Sequence, residues 1–322
     1  MYGIGLIAVE TFRGFQYTET NMRLFGKKKI FTRNLLISPP QPRDDRHGIV
    51  IAARAKNEAP YIADWLLFHR AVGVRHFYIY DDGSTDRTCD VIREVLSPEE
   101  FTIFPWSSRM VDEGSKQFLD TQVIAFAHAI LNFGASCKWM AFIDVDEFLL
   151  PKKGRTIEEA LEGAAGFPAV SLPWHMFGTS GHKTKPVGSS LLNFTMRSVI
   201  PSNDKKNGMA FKCIVDPCEV EQVGVHHFWT RTFGEINSND AGKRATRDGR
   251  KEKAFYSSEF LQLNHYYSRS MQELMEKIDR GNGRSSERYR QSVLRTLQRV
   301  EADTIEDCGM IDFLKKHDID LS

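Results

Sequence analysis

The sequence predicts an α/β fold built on a mostly parallel, doubly wound sheet. Between residues 49 and 143, short apolar runs of strand length alternate with amphipathic segments of helical period. Turn-forming residues separate them. This alternation is typical of strand–helix–strand units with right-handed crossovers. With 322 residues, 41% of them hydrophobic, the chain is long enough to bury a full core.

The first half contains four predicted strands, each followed by turn chemistry or a helix. IVIAA begins at residue 49 and leads into a helix that starts near Pro60 and ends at Gly73. HFYIY leads through DDGSTD into a helix containing DVIREVL. FTIFPW precedes a helix predicted over 117–133, and WMAFI ends in DVDEFLLP.

After residue 151 the alternation loosens, which indicates an α+β portion. Capping boxes mark two helix starts, Thr156 with Glu159 for a helix over 156–162 and Ser270 with Glu273 for a later one. The remaining predicted elements are strands in AVSLPW, LNFTMR, AFKCIV and LQLNHYY, a mobile polar loop at 234–254, a charged helical tail over 284–322, and an N-terminal extension over 1–46.

Composition excludes several classes of protein. The 43 Lys+Arg and 42 Asp+Glu nearly cancel, so no global field attracts nucleic acid or anionic lipid, although a peripheral membrane contact stays open. The five cysteines are scattered and odd in number, which argues against a disulfide framework and a structural zinc site. The apolar run at 4–9 is too short to span a membrane, so we expect a cytoplasmic protein.

Polar clusters follow three of the predicted strands. Because the carboxyl ends of parallel strands meet at one edge of a sheet, we expect the clusters to converge on one crevice. The first contains Arg54, Lys56, Asn57 and Glu58, the second Asp81, Asp82, Gly83 and Asp86, and the third Asp144, Asp146 and Glu147.

Asp144 and Asp146 are candidates for a metal site. Residues two apart on an extended segment point the same way, so both carboxylates can face one Mg²⁺ or Mn²⁺ ion. In the DDGSTD turn, Asp81 and Asp82 are the candidates for ligand contact, whereas Ser84 and Asp86 suit a structural role. No GxGxxG or P-loop motif is present.

The segment from ARAKNEAPYIADW through DDGSTD, followed by KWMAFIDVDEFLLP, resembles the GT-A-fold glycosyltransferases of the family 2 and family 92 (DUF23-like) group. FGTSGH, KCIVDP, VHHF and NHYYSRSMQELMEKIDRG extend the resemblance over residues 49–280. It implies a metal-dependent, inverting transferase that moves a sugar from a nucleotide-sugar, such as a UDP-sugar, to a glycan or other hydroxyl acceptor. Residues 47–151 would be the nucleotide-sugar-binding half and 152–283 the acceptor-side half.

The resemblance also assigns roles to residues. Asp146 would ligate the metal directly, and Asp144 would bridge ribose and metal. A late histidine would complete the site, with His226 the first choice and His265 the second. The donor contacts implied are Arg54, Lys56, Asn57, Glu58, Asp81, Asp82 and Gln122, with Lys277, Arg280 or the basic loop at 243–253 over the pyrophosphate.

Other roles stay open. Each histidine fits a hydrogen-bonded structural position as well as a ligand, and the basic loop fits a solvated surface. An acceptor pocket is expected around Trp174, His175, Phe177 and His182. The general base is undecided among Glu147, His175 and Glu219. The rival hypotheses are a metal-dependent nucleotidyltransferase or phosphohydrolase, and a non-catalytic carbohydrate-binding scaffold.

Overall fold

A computed structural model of the chain describes residues 31–32, 34–164, 166–199, 210–280 and 287–321. Most of the predicted extension at 1–46 and residues 284–286 of the predicted tail therefore lie outside the described residues. The strands are β1 (Phe31–Thr32), β2 (Asn34–Leu36), β3 (Ile49–Ala55), β4 (Val74–Asp81), β5 (Phe101–Pro105), β6 (Phe118–Leu119), β7 (Trp139–Phe142), β8 (Glu147–Pro151), β9 (Ala169–Met176), β10 (Met196–Ser198), β11 (Phe211–Val215), β12 (Val220–Gly224), β13 (Trp229–Thr230), β14 (Asn237–Ser238), β15 (Arg244–Ala245), β16 (Leu261–His265) and β17 (Thr304–Glu306). The α-helices are α1 (Ile62–Ala71), α2 (Thr88–Val95), α3 (Thr121–Phe133), α4 (Ile157–Leu161), α5 (Ser190–Asn193), α6 (Met271–Arg280), α7 (Glu287–Glu301) and α8 (Gly309–Lys316).

Ten of the described strands form one mixed sheet. Its main path runs β15-β14-β9-β11-β7-β3-β4-β5, and β16 joins β9 to β8. Strands β7, β3, β4 and β5 are parallel, as the sequence predicts for the first half. Strand β11 is antiparallel to both β7 and β9, so the second half of the sheet is mixed rather than parallel.

The ends of the parallel strands meet at one edge. Ala55 of β3 pairs with Asp81 of β4, and Asp81 pairs with Pro105 of β5. On the other side of β3, Ala52 pairs with Phe142, the last residue of β7. The polar segments after β3, β4 and β7 therefore leave the sheet at the same edge.

Helices cover both faces of this parallel half. Along β3, Ile49, Ile51 and Ala53 pack in one hydrophobic core, which also contains Trp65 of α1. The alternate residues of β3 pack in a second core with Phe126 of α3. Burial on both faces explains why the strand sequence is a continuous apolar run without polar alternation.

Helix α3 begins at Thr121, four residues after the predicted start at 117. The carboxylate of Asp120 accepts hydrogen bonds from the backbone N–H groups of Gln122 and Val123, so it caps the helix there. The two residues Phe118–Leu119 form the short strand β6 instead. This cap sets the position of Gln122 at the edge of the sheet.

Two other segments differ from their predictions. LNFTMR, predicted as a strand, ends helix α5, which Ser189 caps, and then forms strand β10. The segment 234–254, predicted as a mobile loop, contributes β14 and β15 to the main sheet, with β14 pairing in parallel with β9. Strand β10 pairs with β17, and β14 pairs with β9 as well as with its neighbour β15. The partners β17 and β9 lie far away in the sequence, and local patterns do not reveal them.

Two predicted helix starts are confirmed. Thr156 and Glu159 form the expected capping box, and so do Ser270 and Glu273. None of the five cysteines forms a disulfide. Across the described residues, no helix combines the length and the apolar character needed to cross a lipid bilayer.

Candidate functional site

The loop after β3 is tied to the acidic turn after β4. The backbone N–H of Asn57 donates to Ser84 Oγ (3.0 Å), and the N–H of Thr85 donates to Asn57 Oδ1 (2.8 Å). Asp86 accepts from the N–H of Ala59 (3.1 Å). Ser84 and Asp86 therefore shape the edge, as expected, and the Asn57 side chain does so too. Asn57 has a φ of 55°, a left-handed conformation that asparagine tolerates.

The two aspartates of the acidic turn differ in their surroundings. The carboxylate of Asp81 accepts from the N–H of Ser84 (3.1 Å), which closes the turn. Asp82 is buried, and its Oδ2 lies 3.7 Å from a guanidinium nitrogen of Arg54. Lys56 is exposed, and Glu58 is half-buried at the same edge.

A continuous series of contacts joins the acidic turn to the D-x-D segment, residues 144–146. Arg54, paired with Asp82, donates through NH1 to Thr121 Oγ1 (2.8 Å) at the start of α3. The next residue, Gln122, donates through Nε2 to Asp144 Oδ1 (3.1 Å). The three polar clusters expected from the strand ends are thus brought to one place.

Asp144 is held by a buried lysine that the sequence analysis missed. Lys212 of β11 is 1% exposed and places Nζ 2.7 Å from Asp144 Oδ2 and 3.6 Å from Glu147 Oε2. Burial opposes charge on this ammonium, but Asp144 and Glu147 raise the pKa of Lys212 above its usual value. Burial also opposes charge on Asp144, yet Lys212 lowers its pKa. The carboxylate and the ammonium therefore form a stable ion pair.

Glu147 is fully buried directly after the D-x-D pair. Its Oε2 accepts from the backbone N–H of Asp144 (2.8 Å). Burial raises the pKa of Glu147 well above its usual range; Lys212 opposes that shift, and the charges of Asp144 and Asp146 add to it.

Asp146 lies beside a lysine and a histidine. Its Oδ2 is 2.8 Å from Lys277 Nζ and 3.4 Å from His265 Nε2. Burial disfavours the charged carboxylate, but Lys277 and then His265 lower the pKa of Asp146 well below its usual value. Lys277 Nζ also donates to the carbonyl of Tyr267 (3.2 Å). This places Lys277, the sequence candidate for the pyrophosphate, directly at the D-x-D segment.

Asp146, Glu147 and His265 have the chemistry of a divalent-metal site. One ligand atom from each lies within 4.8 Å of the others. Glu147 Oε1 and His265 Nδ1 are buried and have no hydrogen-bond partner within the described residues. Two carboxyl groups and an imidazole suit Mn²⁺ or Mg²⁺. Asp144 is not in this set, and Gln122 and Lys212 bond its two oxygens.

The two histidine candidates are placed in the reverse of their expected order. His265, the second choice, lies beside Asp146. His226 instead donates through Nδ1 to the Phe211 carbonyl (2.9 Å) and lies outside the three-residue set. Trp174 joins them, with ring centroids 4.5 Å from His265 and 5.8 Å from His226. Although the His226 side chain is exposed, its protein surroundings and then Lys212 lower its pKa to about 4.

The structure does not bring His175 to this site. It alternates with Trp174 along β9 and so faces the other side of the sheet, where the nearest charges are Arg197 and Asp307. Burial and then Arg197 lower the pKa of His175 to about 4. The expected catalytic role of His175 is therefore unsupported by its position.

Three further candidates have structural contacts. Phe177 is buried and stacks on Tyr266 at 4.7 Å, and His182 bonds through Nε2 to the carbonyl of Asn193 (3.2 Å). Glu219 accepts from the backbone and hydroxyl of Thr232. Among the described residues, Trp174 is the one expected acceptor residue that contacts the site, through its ring contact with His265.

The basic loop at 243–253 packs against the sheet instead of covering the D-x-D segment. Arg250 is buried and donates through NH1 to Ser171 Oγ (2.8 Å) and to the His226 carbonyl (3.0 Å). Arg244 lies over the ring of Phe167. The side chain of Arg280 is outside the described part of the chain.

Two residues of α1 hold strand β8 in place. The sequence analysis missed both of them. Trp65 donates through Nε1 to the Glu147 carbonyl (2.9 Å), and His69 Nε2 accepts from the N–H of Leu149 (3.2 Å). Burial lowers the pKa of His69 to about 3, so the ring is neutral, as this acceptor role requires. The sequence contains two signals for these residues. His69 lies within an apolar helical face, and Lys212 lies within the apolar run FKCIV.

Comparisons with known proteins identify relatives. The family profile described as "Glycosyltransferase family 92" matches residues 53–306. A glycosyltransferase family 92 protein of Ricinus communis is 28% identical over 63% of this chain and 36% of its own length. One from Oryza sativa subsp. japonica is 26% identical over 52% of this chain and 29% of its own. The chain thus spans about a third of the length of these curated relatives.

Solved structures give weaker likenesses. A crystal structure of S. aureus TarS 1-349 is 13% identical, covers 78% of this chain and 70% of that chain, and has a TM-score of 0.34. The mannosyltransferase Ktr4p from S. cerevisiae is 11% identical over 45% of this chain and 44% of that chain, with a TM-score of 0.24. At these scores neither likeness supports a conclusion about fold or activity.

Proposed function

The chain belongs to glycosyltransferase family 92, and from that premise we propose that it transfers a sugar from a nucleoside-diphosphate donor to a hydroxyl group of a glycan or similar acceptor. We also propose a GT-A architecture, divalent-metal dependence and inversion at the anomeric carbon. The observation that carries the proposal is the series of contacts from Asp82 through Arg54 and Gln122 to Asp144, next to the cluster around Asp146.

The nucleoside end of the donor is assigned to the edge formed by β3, β4 and α3. Asp82 is buried but lies at 3.7 Å from Arg54, which leaves carboxylate capacity for a base or ribose group. Gln122 and Asp144 stand next along the edge and are assigned to the ribose. The donor would therefore extend from the acidic turn toward Asp146.

The diphosphate end is assigned to Asp146, Glu147 and His265, which would hold Mn²⁺ or Mg²⁺. Such an ion neutralises the negative charge that develops on the leaving diphosphate. The charge of Lys277 is available for the same purpose, because this side chain is 32% exposed and borders Asp146. The Lys212 ammonium instead stays with Asp144, since it is buried between two carboxyl groups.

In the proposed reaction, the acceptor oxygen attacks the anomeric carbon and the bond from that carbon to the diphosphate oxygen breaks. The acceptor proton passes to a base on the acceptor side. Glu147 is unsuited to that task, because it is fully buried and bonded to the N–H of Asp144. Its Oε2 fixes the D-x-D turn, which leaves Oε1 for the proposed metal ion. Trp174 offers an aromatic face for a sugar ring beside His265.

The test is nucleoside diphosphate release from a panel of nucleotide-sugars, with and without glycan acceptors, in Mn²⁺ or in chelator. We expect release that needs Mn²⁺ and rises with acceptor. Release at the same rate with and without acceptor would indicate a hydrolase. No release from any donor would favour the scaffold hypothesis. The variant Lys153→Ala is a control, because Lys153 pairs with Glu259 on the exposed surface and contacts no site residue.

A further inference from the structure

Arg269, which lies between β16 and α6, has an unusual backbone conformation. Its φ is 50°, in the left-handed region that residues other than glycine, asparagine and aspartate seldom adopt. The capping box of Ser270 and Glu273 follows immediately and fixes the start of α6. A strained residue at a tightly held junction indicates that the position of its side chain matters.

The guanidinium of Arg269 contains a buried nitrogen without a hydrogen-bond partner. The residue is 7% exposed, and the atom concerned is Nε. Within the described residues, no carboxylate oxygen lies within ion-pairing distance, and the side chain lies against an aromatic ring. Leaving a buried charge unpaired is costly, and native proteins avoid it unless a ligand supplies the partner.

One face of this guanidinium is fixed. It lies 3.4 Å from the centroid of the Tyr61 ring, and the Tyr61 hydroxyl donates to Glu273 Oε1 (2.9 Å). Stacking leaves the N–H groups along the edge of the guanidinium free to bond a ligand. Arginine stacked in this way presents a planar fork that matches the oxygens of a phosphate.

A second buried arginine shows what a structural role looks like. Arg250 also stacks on a ring, that of Phe211, but its NH1 bonds both Ser171 and the carbonyl of His226. Arg269 makes no such hydrogen bond to the described residues. Both arginines are buried, but only the NH1 group of Arg250 has acceptors within the described residues.

The segment that carries Arg269 is bonded to the D-x-D segment and to Lys277. The backbone N–H of Tyr266 donates to the Asp146 carbonyl (2.9 Å), and Lys277 Nζ donates to the Tyr267 carbonyl (3.2 Å). Arg269 therefore follows two residues after a direct contact of Lys277. We propose that Arg269 binds the sugar-linked phosphate of the donor and, with Lys277, stabilises the departing diphosphate. This inference rests on the proposed function.

The experiment compares nucleoside diphosphates with the matching monophosphates, because the pair differs by the phosphate assigned to Arg269. Calorimetry would use UDP, GDP, CDP and ADP with the intact protein in Mn²⁺. For Arg269→Gly we expect the affinity for the diphosphate to fall roughly 10- to 100-fold. The affinity for the monophosphate should change less than about twofold, because Arg269 does not reach its phosphate.

Arg269→Gly should also unfold at the same or a higher temperature, because glycine accepts the left-handed backbone and the buried charge is gone. Arg269→Lys keeps the charge but loses the fork, so we expect an intermediate loss, and this variant carries the test should the glycine variant not fold. Arg197→Lys, on the opposite face of the sheet, is the control and should leave the diphosphate-to-monophosphate ratio unchanged.

The outcomes separate this inference from the proposed function. If the Arg269 variants lose affinity equally for the diphosphate and the monophosphate, or for neither, the phosphate assignment is overturned. Binding of a diphosphate by the wild-type protein would still support the proposed donor class. Failure of the wild-type protein to bind any of the four diphosphates would instead reject the proposed function, and this inference with it.

Discussion

The two faces of the β9–β16 strand pair carry buried polar groups of different character. On one face, Arg197 and Asp307 pair at 2.6 Å, and Gln262 donates to the same carboxylate at 3.0 Å. Each charge there has a partner within the chain. His175 and Asn264 complete that face, and their unpartnered nitrogens belong to neutral groups, which a buried water can satisfy.

On the other face, charged groups have unpartnered atoms. Lys212 pairs with Asp144 and Lys277 with Asp146, but Nε of Arg269 and Oε1 of Glu147 are buried without a hydrogen-bond partner. Unpartnered atoms of buried charged groups are expected where a ligand or an ion completes the contacts. The comparison therefore separates a structural network from the proposed binding site beside the same two strands.

The largest stability effect should come from Lys212→Met. This change leaves Asp144 and Glu147 without their buried cation, so we expect the free energy of unfolding to fall by about 3 kcal/mol. Lys277→Met, at a partly exposed pair, should lower it by less than about 1 kcal/mol. Urea denaturation at pH 7 measures both. A loss of similar size in the two variants would show that burial does not distinguish the two ion pairs.

Asp307→Asn should affect acid stability on the structural face. Burial opposes its charge, but hydrogen bonds from Arg197 and Gln262 lower the pKa of Asp307 from 3.8 to about 2. A lowered folded-state pKa stabilises the fold above pH 4, and this stabilisation is lost as the pH falls toward 2. The wild-type protein should therefore lose about 2 kcal/mol over that range that the variant does not lose.

Unfolding measured from pH 7 down to the acid limit would show this as converging stability curves. Parallel curves for wild type and Asp307→Asn would mean that the carboxylate has no special stabilisation. Nucleotide binding by Asp307→Asn at pH 7 should stay unchanged, because the residue faces away from the D-x-D segment.

Substitutions of His265 and His175 compare the two faces and have the smallest expected effects. His265→Ala should weaken Mn²⁺ binding by about tenfold, the order expected for one lost ligand or its support. His175→Ala should leave Mn²⁺ affinity unchanged and lower the melting temperature, because it removes a buried side chain. Titration of Mn²⁺ followed by electron paramagnetic resonance gives the comparison. Equal loss of affinity in both variants would remove the distinction between the faces.

The parallel half of the sheet was predictable because its signals are local. Strand, turn and helix follow one another along the chain, and the geometry of parallel strands then brings Arg54, Asp82 and Asp144 to one edge. The mixed half was not predictable, because β8 pairs with β16 and β9 with β11 across long stretches of sequence. Sequence patterns do not specify such partners.

The site was predictable in part for the same reason. Which face a histidine occupies depends on strand register. The sequence analysis put His226 before His265, whereas the structure places His265 beside Asp146. It also put His175 beside Trp174, although neighbours on a strand point oppositely. Lys212 was missed because a lysine in an apolar strand has meaning only once the carboxylates it meets are known. Arg269 was missed because its backbone conformation is invisible in the sequence.

The central claim is that Asp146 and its neighbours hold a divalent cation for the donor diphosphate. The most direct measurement is calorimetry of nucleoside diphosphate binding in Mn²⁺ and in chelator, with wild type, Asp146→Asn and Asp307→Asn. We expect wild type and Asp307→Asn to bind at least about tenfold more tightly in Mn²⁺, and Asp146→Asn to bind equally in both. Equal affinity of the wild-type protein in Mn²⁺ and in chelator would contradict the claim, and so would an Mn²⁺ effect that persists in Asp146→Asn.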